Sequence, residues 1–423
     1  MKQHTYLCID LKSFYASVEC VERGLDPMTA RLVVADPERS TGTICLAVSP
    51  ELKRLGVRNR CRVYEIPKNI DYIMAVPRMQ LYIDYAAEIY GIYLEHIAPE
   101  DMHVYSIDEV FLDVTRYLPL YGFTPRQMAA FLMDEVRNRL GIRATCGIGT
   151  NLYLAKIALD IHAKHAPDFI AELDERTYCE TLWTHRPLTD FWRVGPGTER
   201  RLERLGLYTM RDIAHANEDA LYKAFGIDAE LLIDHAWGRE TATMEDIHNY
   251  HTRSTSLSSG QVLMRDYAFD EGKVILREMM EQLALDMMAQ GVATRSVTLW
   301  IGYSGRTEHK GASGTAALET ETNSARALVR AVLEVYDRVV SPQLPIRRVN
   351  ISCNQLVSET ELFQYSLLDG DTRESLARDR RLQETVLELK HKFGKNAVLK
   401  GVDLTDCATA IERNGQIGGH KSG

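Results

Sequence analysis

The segment HVYSIDEVFLDVT, from His103 to Thr115, constrains the fold more than any other stretch. Its Val, Ile and Phe follow the two-residue period of a β-strand, yet Asp108 and Glu109 stand side by side within it. In an unbroken strand, neighbouring side chains point to opposite faces, so the two carboxylates could not serve one site. A hairpin turning at SIDE removes that restriction, because backbone curvature brings both sets of oxygens toward one point.

The flanking sequence supplies helices and further strands. TYLCI is a short β-rich run that ends at Asp10. KSFYASVECVERG reads as a helix, with Phe14, Val18 and Val21 on a buried face. RLVVAD is a strand. SPELKRLGVR is a helix with Ser49 as N-cap, Pro50 at the first position and Gly56 as its stop. Helical periodicity covers residues 79–97, then PRQMAAFLMDEVRNRLG and NLYLAKIALDIHAK, with IRATCGIGT as a strand and turn between these two. The alternation predicts an α+β or α/β unit over residues 1–165. Residues 166–240 show helices and no convincing strand. A second unit over 245–355 has the strands RSVTLWIGYS and IRRVNISCNQL between amphipathic helices. After Gln355 the chain is polar, with one helical segment and an end, NGQIGGHKSG, that reads as mobile.

Composition excludes several classes. The 423 residues allow two to four domains, and 45% hydrophobic with 26% charged residues is ordinary globular usage. No run approaches ~18 apolar residues, so no transmembrane helix is expected, and no signal-peptide pattern opens the chain. The eight cysteines are scattered without a C-x-x-C pair, which argues against a disulfide framework or zinc site and for a cytoplasmic location. A net charge of −9 counts against a general nucleic-acid footprint.

Asp10, Asp108 and Glu109, gathered at strand ends, would repel one another at a cost in stability. Divalent cations cancel that cost, and an oxygen-only donor set favours Mg²⁺, with Mn²⁺ as the alternative. Two such ions suit in-line displacement at phosphorus. Three unrelated surface acids are the plain alternative.

IDLKSFYASVE, followed about ninety residues later by YSIDEVFLDVT, resembles the two signature motifs of the Y-family DNA polymerases, the translesion enzymes. GIGTNLYLAKIALD and LTDFWRVGPGTERRLERLGLYTMRDIA resemble that family's palm helix and thumb. GKNAVLKG with TAIERNGQIGGHK resembles the UmuC-like branch of Gram-positive bacteria. The resemblance implies an α+β right-hand polymerase: palm at 1–20 and 76–165, small fingers at 21–75, a helical thumb at 166–240, an α/β little finger at 245–355, and a tail at 356–423. It implies DNA-templated synthesis past damage in DNA repair and the SOS response, from primer–template DNA and dNTP.

By motif, Asp10, Asp108 and Glu109 would bind two Mg²⁺, with the Leu11 carbonyl as a further ligand; Leu11→Met should then be tolerated. Phe14 and Tyr15 would line the nucleotide pocket, Tyr15 as the steric gate against ribose. Lys53, rather than its neighbour Arg54, and Lys164 would bind the triphosphate. Pro50 replaces a common family Tyr, and Lys164 lies one residue further from LAK than in many members. Gly195 and Gly197 would open a helix onto DNA phosphate, and Arg253, Arg295, Arg347 and Arg348 would form a basic stripe on one sheet face. QYSLL resembles a peptide that docks on the sliding clamp, through Gln364, Leu367 and Leu368. Accessory subunits are admitted, because polymerase V works with partner proteins. The competing readings are a non-catalytic scaffold of the same fold, a nucleotidyl cyclase and a two-metal nuclease.

Overall fold

The structure is a computed structural model that describes residues 4–39, 41–250, 255–305, 309–359 and 373–423. The chain forms two compact units, one over residues 1–251 and one over 252–422.

In chain order the first unit begins β1 (Tyr6–Leu11), α1 (Phe14–Val21), β2 (Leu32–Val34), β3 (Ala47–Val48), α2 (Pro50–Arg54), β4 (Ile73–Ala75) and α3 (Met79–Leu94). It continues β5 (Met102–Ser106), β6 (Glu109–Asp113), α4 (Tyr117–Tyr121), α5 (Pro125–Leu140), β7 (Ala144–Gly149), α6 (Leu152–Ile157) and β8 (Ile170–Leu173). Its main sheet has the order β5-β6-β1-β7-β8. β1 is buried on both faces, which is why it reads as a continuous apolar run. It lies antiparallel between β6 and β7, with Asp10 opposite both Glu109 and Thr145. Ile107 and Asp108 alone link β5 to β6, so the hairpin turns at SIDE as the sequence predicts.

Two glycines fix how closely α6 approaches the sheet. A Cβ at Gly147 would stand 2.0 Å from the Ala155 carbonyl oxygen, and one at Gly149 2.1 Å from the Ala155 nitrogen. No other residue fits there without moving the helix. β2, β3 and β4 form a small separate sheet over a core that includes Val33, Val48 and Leu52. Ser49 precedes α2 as expected, but its hydroxyl accepts from the Leu32 N–H at 3.1 Å instead of capping the helix. Val21 in α1 is half-buried, whereas Phe14 and Val18 are buried.

β8 corrects the expectation of no strand between residues 166 and 240. Its four residues run parallel to β7 and are too few to display a period. Six helices follow: α7 (Glu175–Leu182), α8 (Pro196–Arg204), α9 (Met210–Ala214), α10 (Glu218–Phe225), α11 (Asp228–Ala236) and α12 (Met244–Asn249). The first five enclose Tyr178, Phe191, Leu202 and Leu221.

The second unit runs β9 (Ser256–Tyr267), α13 (Phe269–Ala289), β10 (Val292–Tyr303), β11 (Ala312–Thr322), α14 (Ala325–Val339) and β12 (Ile346–Asn354). The strands form an antiparallel sheet, β11-β10-β12-β9, and α13 and α14 cover one face through Met279, Leu283, Val332 and Tyr336. β9 and β11 escape sequence reading because Ser, Gly, Thr and Ala replace the usual branched and aromatic residues. The tail carries the expected helix, α15 (Arg373–Phe393). Its end is not an irregular coil. Gln416–Ile417 and His420–Lys421 pair as a hairpin through Gly418 and Gly419, both at positive φ (59° and 81°), a geometry that suits paired glycines.

Candidate active site

The antiparallel register of β1 and β6 sets Asp10 beside Glu109, and the Leu11 N–H donates to the Asp108 carbonyl at 2.9 Å. The three acids therefore meet at one end of the sheet. Burial pushes the Asp10 carboxyl up to about 6; the charge of Lys164 opposes this, while those of Asp108 and Glu109 add to it. The repulsion expected from the sequence is thus present.

The carboxylates meet without converging on a common point. Lys156 Nζ lies 2.8 Å from Glu109, whose Oε1 also accepts from the Cys8 thiol at 3.2 Å. The Ser106 hydroxyl donates to Asp108 at 2.8 Å, and Asp10 lies 3.9 Å from Lys164 Nζ. Among the described residues no three His, Cys, Asp or Glu side chains form a ready metal cage. The donor set nevertheless fits a hard divalent ion. It is all oxygen, it is partly buried, and it carries negative charge that the lysines only partly offset.

Lys156, Asp160 and Lys164 form an alternating chain beside these acids. Lys156 Nζ is 3.0 Å from Asp160, and Lys164 donates to the other Asp160 oxygen at 2.7 Å. Lys156 is only 7% exposed. Burial favours its neutral amine, but the anions Cys8 (when ionised), Glu109 and Asp160 raise its pKa overall. The long spacing to Lys164 has a local cause. The helix widens to a π-helical turn over Ala158–His162, which accommodates one extra residue and keeps Lys164 beside Asp10.

The remaining nucleotide-pocket residues divide. Lys53 donates to the Ser13 hydroxyl at 2.8 Å; burial lowers its pKa, and Asp10, Asp108 and Lys164 all act on it. Arg54 instead pairs with Glu51 on its own helix. Ser13 holds a left-handed backbone, φ 48°, at this junction. Tyr15 is partly exposed, stacks on Tyr82 at 4.5 Å, and has its pKa raised first by burial and then by Asp108. Phe14 is 2% exposed and cannot present a surface to a nucleotide; it backs Tyr15, with ring centroids 5.7 Å apart. Lys12 was not nominated from the sequence. Its ammonium lies 4.1 Å from the centre of the Phe169 ring, and burial, then Lys53, lowers its pKa. The i, i+4 spacing of Lys156, Asp160 and Lys164 was the one signal in the sequence for this chain of charges.

The DNA-contact residues are less unified than expected. Gly195 stands just before α8 and Gly197 lies in its first turn, both with open space around them. Arg295 and Arg347 stand at irregularities in β10 and β12 and pair with Glu321 at 2.6 Å and Asp266 at 3.7 Å. Arg348 is exposed on the outward face. Arg253, Gln364, Leu367 and Leu368 lie outside the described residues.

The impB/mucB/samB family model matches residues 9–160, and the model of that family's C-terminal domain matches residues 254–367. UvrX of Bacillus subtilis (strain 168), named for UV-damage repair, is 31% identical over 98% of this chain and 97% of its own. DNA polymerase IV 2 of the same organism is 31% identical over 99% of both chains. DNA polymerase IV of Pelotomaculum thermopropionicum is 29% identical over 97% of this chain and 98% of its own. A solved Y-family DNA polymerase chimera of Dbh and Dpo4 has the same fold, with a TM-score of 0.64 at 19% identity, over 84% of this chain and 99% of that one. This chain belongs to the impB/mucB/samB family, the UmuC-like branch of the Y-family DNA polymerases.

Proposed function

We propose that this chain is a DNA-directed DNA polymerase that performs translesion synthesis. The observation that carries the reading is the register of Asp10 against Glu109, with Asp108 in the adjoining turn and lysines 12, 53 and 164 nearby. Acids grouped beside cations suit a reaction in which a hydroxyl attacks a triphosphate. The primer 3′-hydroxyl bonds to the α-phosphorus as the α–β phosphoanhydride breaks, and pyrophosphate leaves.

Asp10, Asp108, Glu109 and the Leu11 carbonyl would hold two Mg²⁺, or Mn²⁺, which supply charge neutralisation and lower the pKa of the hydroxyl. Lys53, Lys164 and Lys12 orient the triphosphate. Tyr15, fixed by its stack on Tyr82, lies under the sugar. Lys156 positions the Glu109 carboxylate. The palm comprises residues 1–20 and 76–165, the fingers 21–75, the thumb 166–240 and the little finger 245–355. The open start of α8, at Gly195 and Gly197, suits a backbone phosphate. QYSLL tethers the enzyme to the sliding clamp. It works in the cytoplasm, and accessory subunits are compatible with this arrangement.

Primer extension on a template bearing a single lesion tests the reading. A longer primer is expected in the presence of Mg²⁺ and dNTP. An unchanged primer would point to the scaffold or the cyclase, and a shortened one to the nuclease.

A further inference from the structure

Lysines crowd the three acids. Beyond burial, the charges of Lys164, Asp108, Glu109 and Lys156 bear on the Asp10 carboxyl, and Lys12 and Lys53 in turn feel Asp10. Left to pair freely, these ammonium groups would neutralise the carboxylates from within. A divalent ion would then have to displace an internal salt bridge in order to bind. A site that takes metal therefore needs groups that hold its own lysines back.

The lysines do have such holders. Lys53 donates to the Ser13 hydroxyl at 2.8 Å, and the Lys12 ammonium lies 4.1 Å from the centre of the Phe169 ring. Lys164 stands 3.9 Å from Asp10, too far for a hydrogen bond, because it donates to Asp160 at 2.7 Å. Lys156 is shared between Glu109 at 2.8 Å and Asp160 at 3.0 Å. Ser13 and Phe169 are neutral, so Asp160 is the charged member of this set, and it serves two lysines. Its place in the chain makes that possible. Asp160 lies in the π-helical turn, four residues after Lys156 and four before Lys164, and both ammonium groups reach it along one side of the helix.

We propose that Asp160 is a positioning residue that withholds Lys164 from Asp10 and so keeps the metal-binding carboxylates open to a divalent cation. It acts through the lysine and is not itself a metal ligand. Without the Asp160 charge, the nearest acid left to Lys164 is Asp10, and the salt bridge formed there competes with metal. With that charge in place, Lys164 waits beside the acids and stays available to an incoming phosphate. The inference rests on the reading of Asp10, Asp108 and Glu109 as metal ligands.

The test uses the full-length chain and Mn²⁺ alone, with free ion counted by electron paramagnetic resonance, so no catalytic step enters the readout. D160N keeps the shape and one acceptor oxygen but loses the charge, and is expected to weaken Mn²⁺ binding about tenfold. K164A should bind Mn²⁺ at least as tightly as wild type. The deciding comparison is the double variant D160N/K164A, which has no lysine to withhold and should stay within about twofold of K164A. Recovery in the double variant also excludes a folding defect as the cause of the loss in D160N. Three results would overturn the proposal: D160N that binds Mn²⁺ as wild type does, K164A that binds it more weakly, or a loss on adding D160N to K164A as large as in D160N alone. The last would mean that Asp160 attracts cations merely as a nearby negative charge. D10N tests the underlying reading separately. Mn²⁺ binding by D10N at the wild-type affinity overturns the assignment of Asp10 to the metal, whereas the comparison of D160N with and without Lys164 alone decides the role of Asp160.

Discussion

Lys156 is an ammonium buried between two carboxylates, Glu109 at 2.8 Å and Asp160 at 3.0 Å. Removing it would leave Glu109 partly buried without its ammonium partner, and Asp160 with Lys164 alone. Lys156→Met should therefore cost about 3 kcal/mol of stability and reduce kcat more than it raises KM for dNTP. Denaturant unfolding and steady-state incorporation measure the two effects, and Lys156→Arg should restore part of each. Asp10 works in the opposite sense. Burial and its acidic neighbours lift its pKa from 3.8 to about 6. The folded state then binds more protons than the unfolded state across that window, so stability falls as pH rises from about 4 to about 6 and stays lower above it. In metal-free buffer at pH 7, Asp10→Asn is expected to raise stability by roughly 1–3 kcal/mol while abolishing nucleotide incorporation. Thermal unfolding at pH 4 and pH 7 tests the sign: the variant's advantage should vanish at the lower pH. The sequence made Asp10, Asp108 and Glu109 legible because acids stand out in apolar strands. Lys156 and Asp160 were not, because lysines and aspartates at helical spacing read as an ordinary solvated face, and Lys12, in the turn between β1 and α1, carries no pattern that marks it.

At the scale of elements, the active site depends on how α6 and its π-helical turn lie against β7. The turn over Ala158–His162 holds one residue more than an α-helix would, and Lys164 still reaches Asp160 and Asp10. Deleting His162 should convert the turn to a regular helix, in which Asp160 and Lys164 become i, i+3 neighbours on one face. The deletion is expected to shift KM for dNTP by less than about threefold and the melting temperature by only a few degrees. A loss of nucleotide binding as large as that of Lys164→Ala would contradict the view that the π turn only absorbs the extra residue. The hairpin at SIDE, the helices and β1 were readable from period and turn chemistry. β8 was too short to show a period, and β9 and β11 were masked by small polar residues whose strand character comes from pairing with β12 and β10. The terminal hairpin was hidden because a Gly-Gly turn with two-residue arms resembles a flexible end.

At the scale of the whole molecule, a net charge of −9 and the ion pairs of Arg295 and Arg347 reduce the positive charge available for holding DNA. Weak, salt-sensitive association is the consequence, and a tether would offset it by raising local concentration. Leu367→Ala with Leu368→Ala should leave extension without the clamp unchanged and remove most of the stimulation by the clamp, as read from product lengths on clamp-loaded template.

The most direct measurement is single-nucleotide incorporation on a primed template in Mg²⁺, comparing wild type with Asp108→Asn and Glu109→Gln. Removal of either carboxylate is expected to reduce incorporation by about a thousandfold or more while DNA binding stays within about threefold. Incorporation by both variants at the wild-type rate would contradict the assignment of these acids to the chemistry.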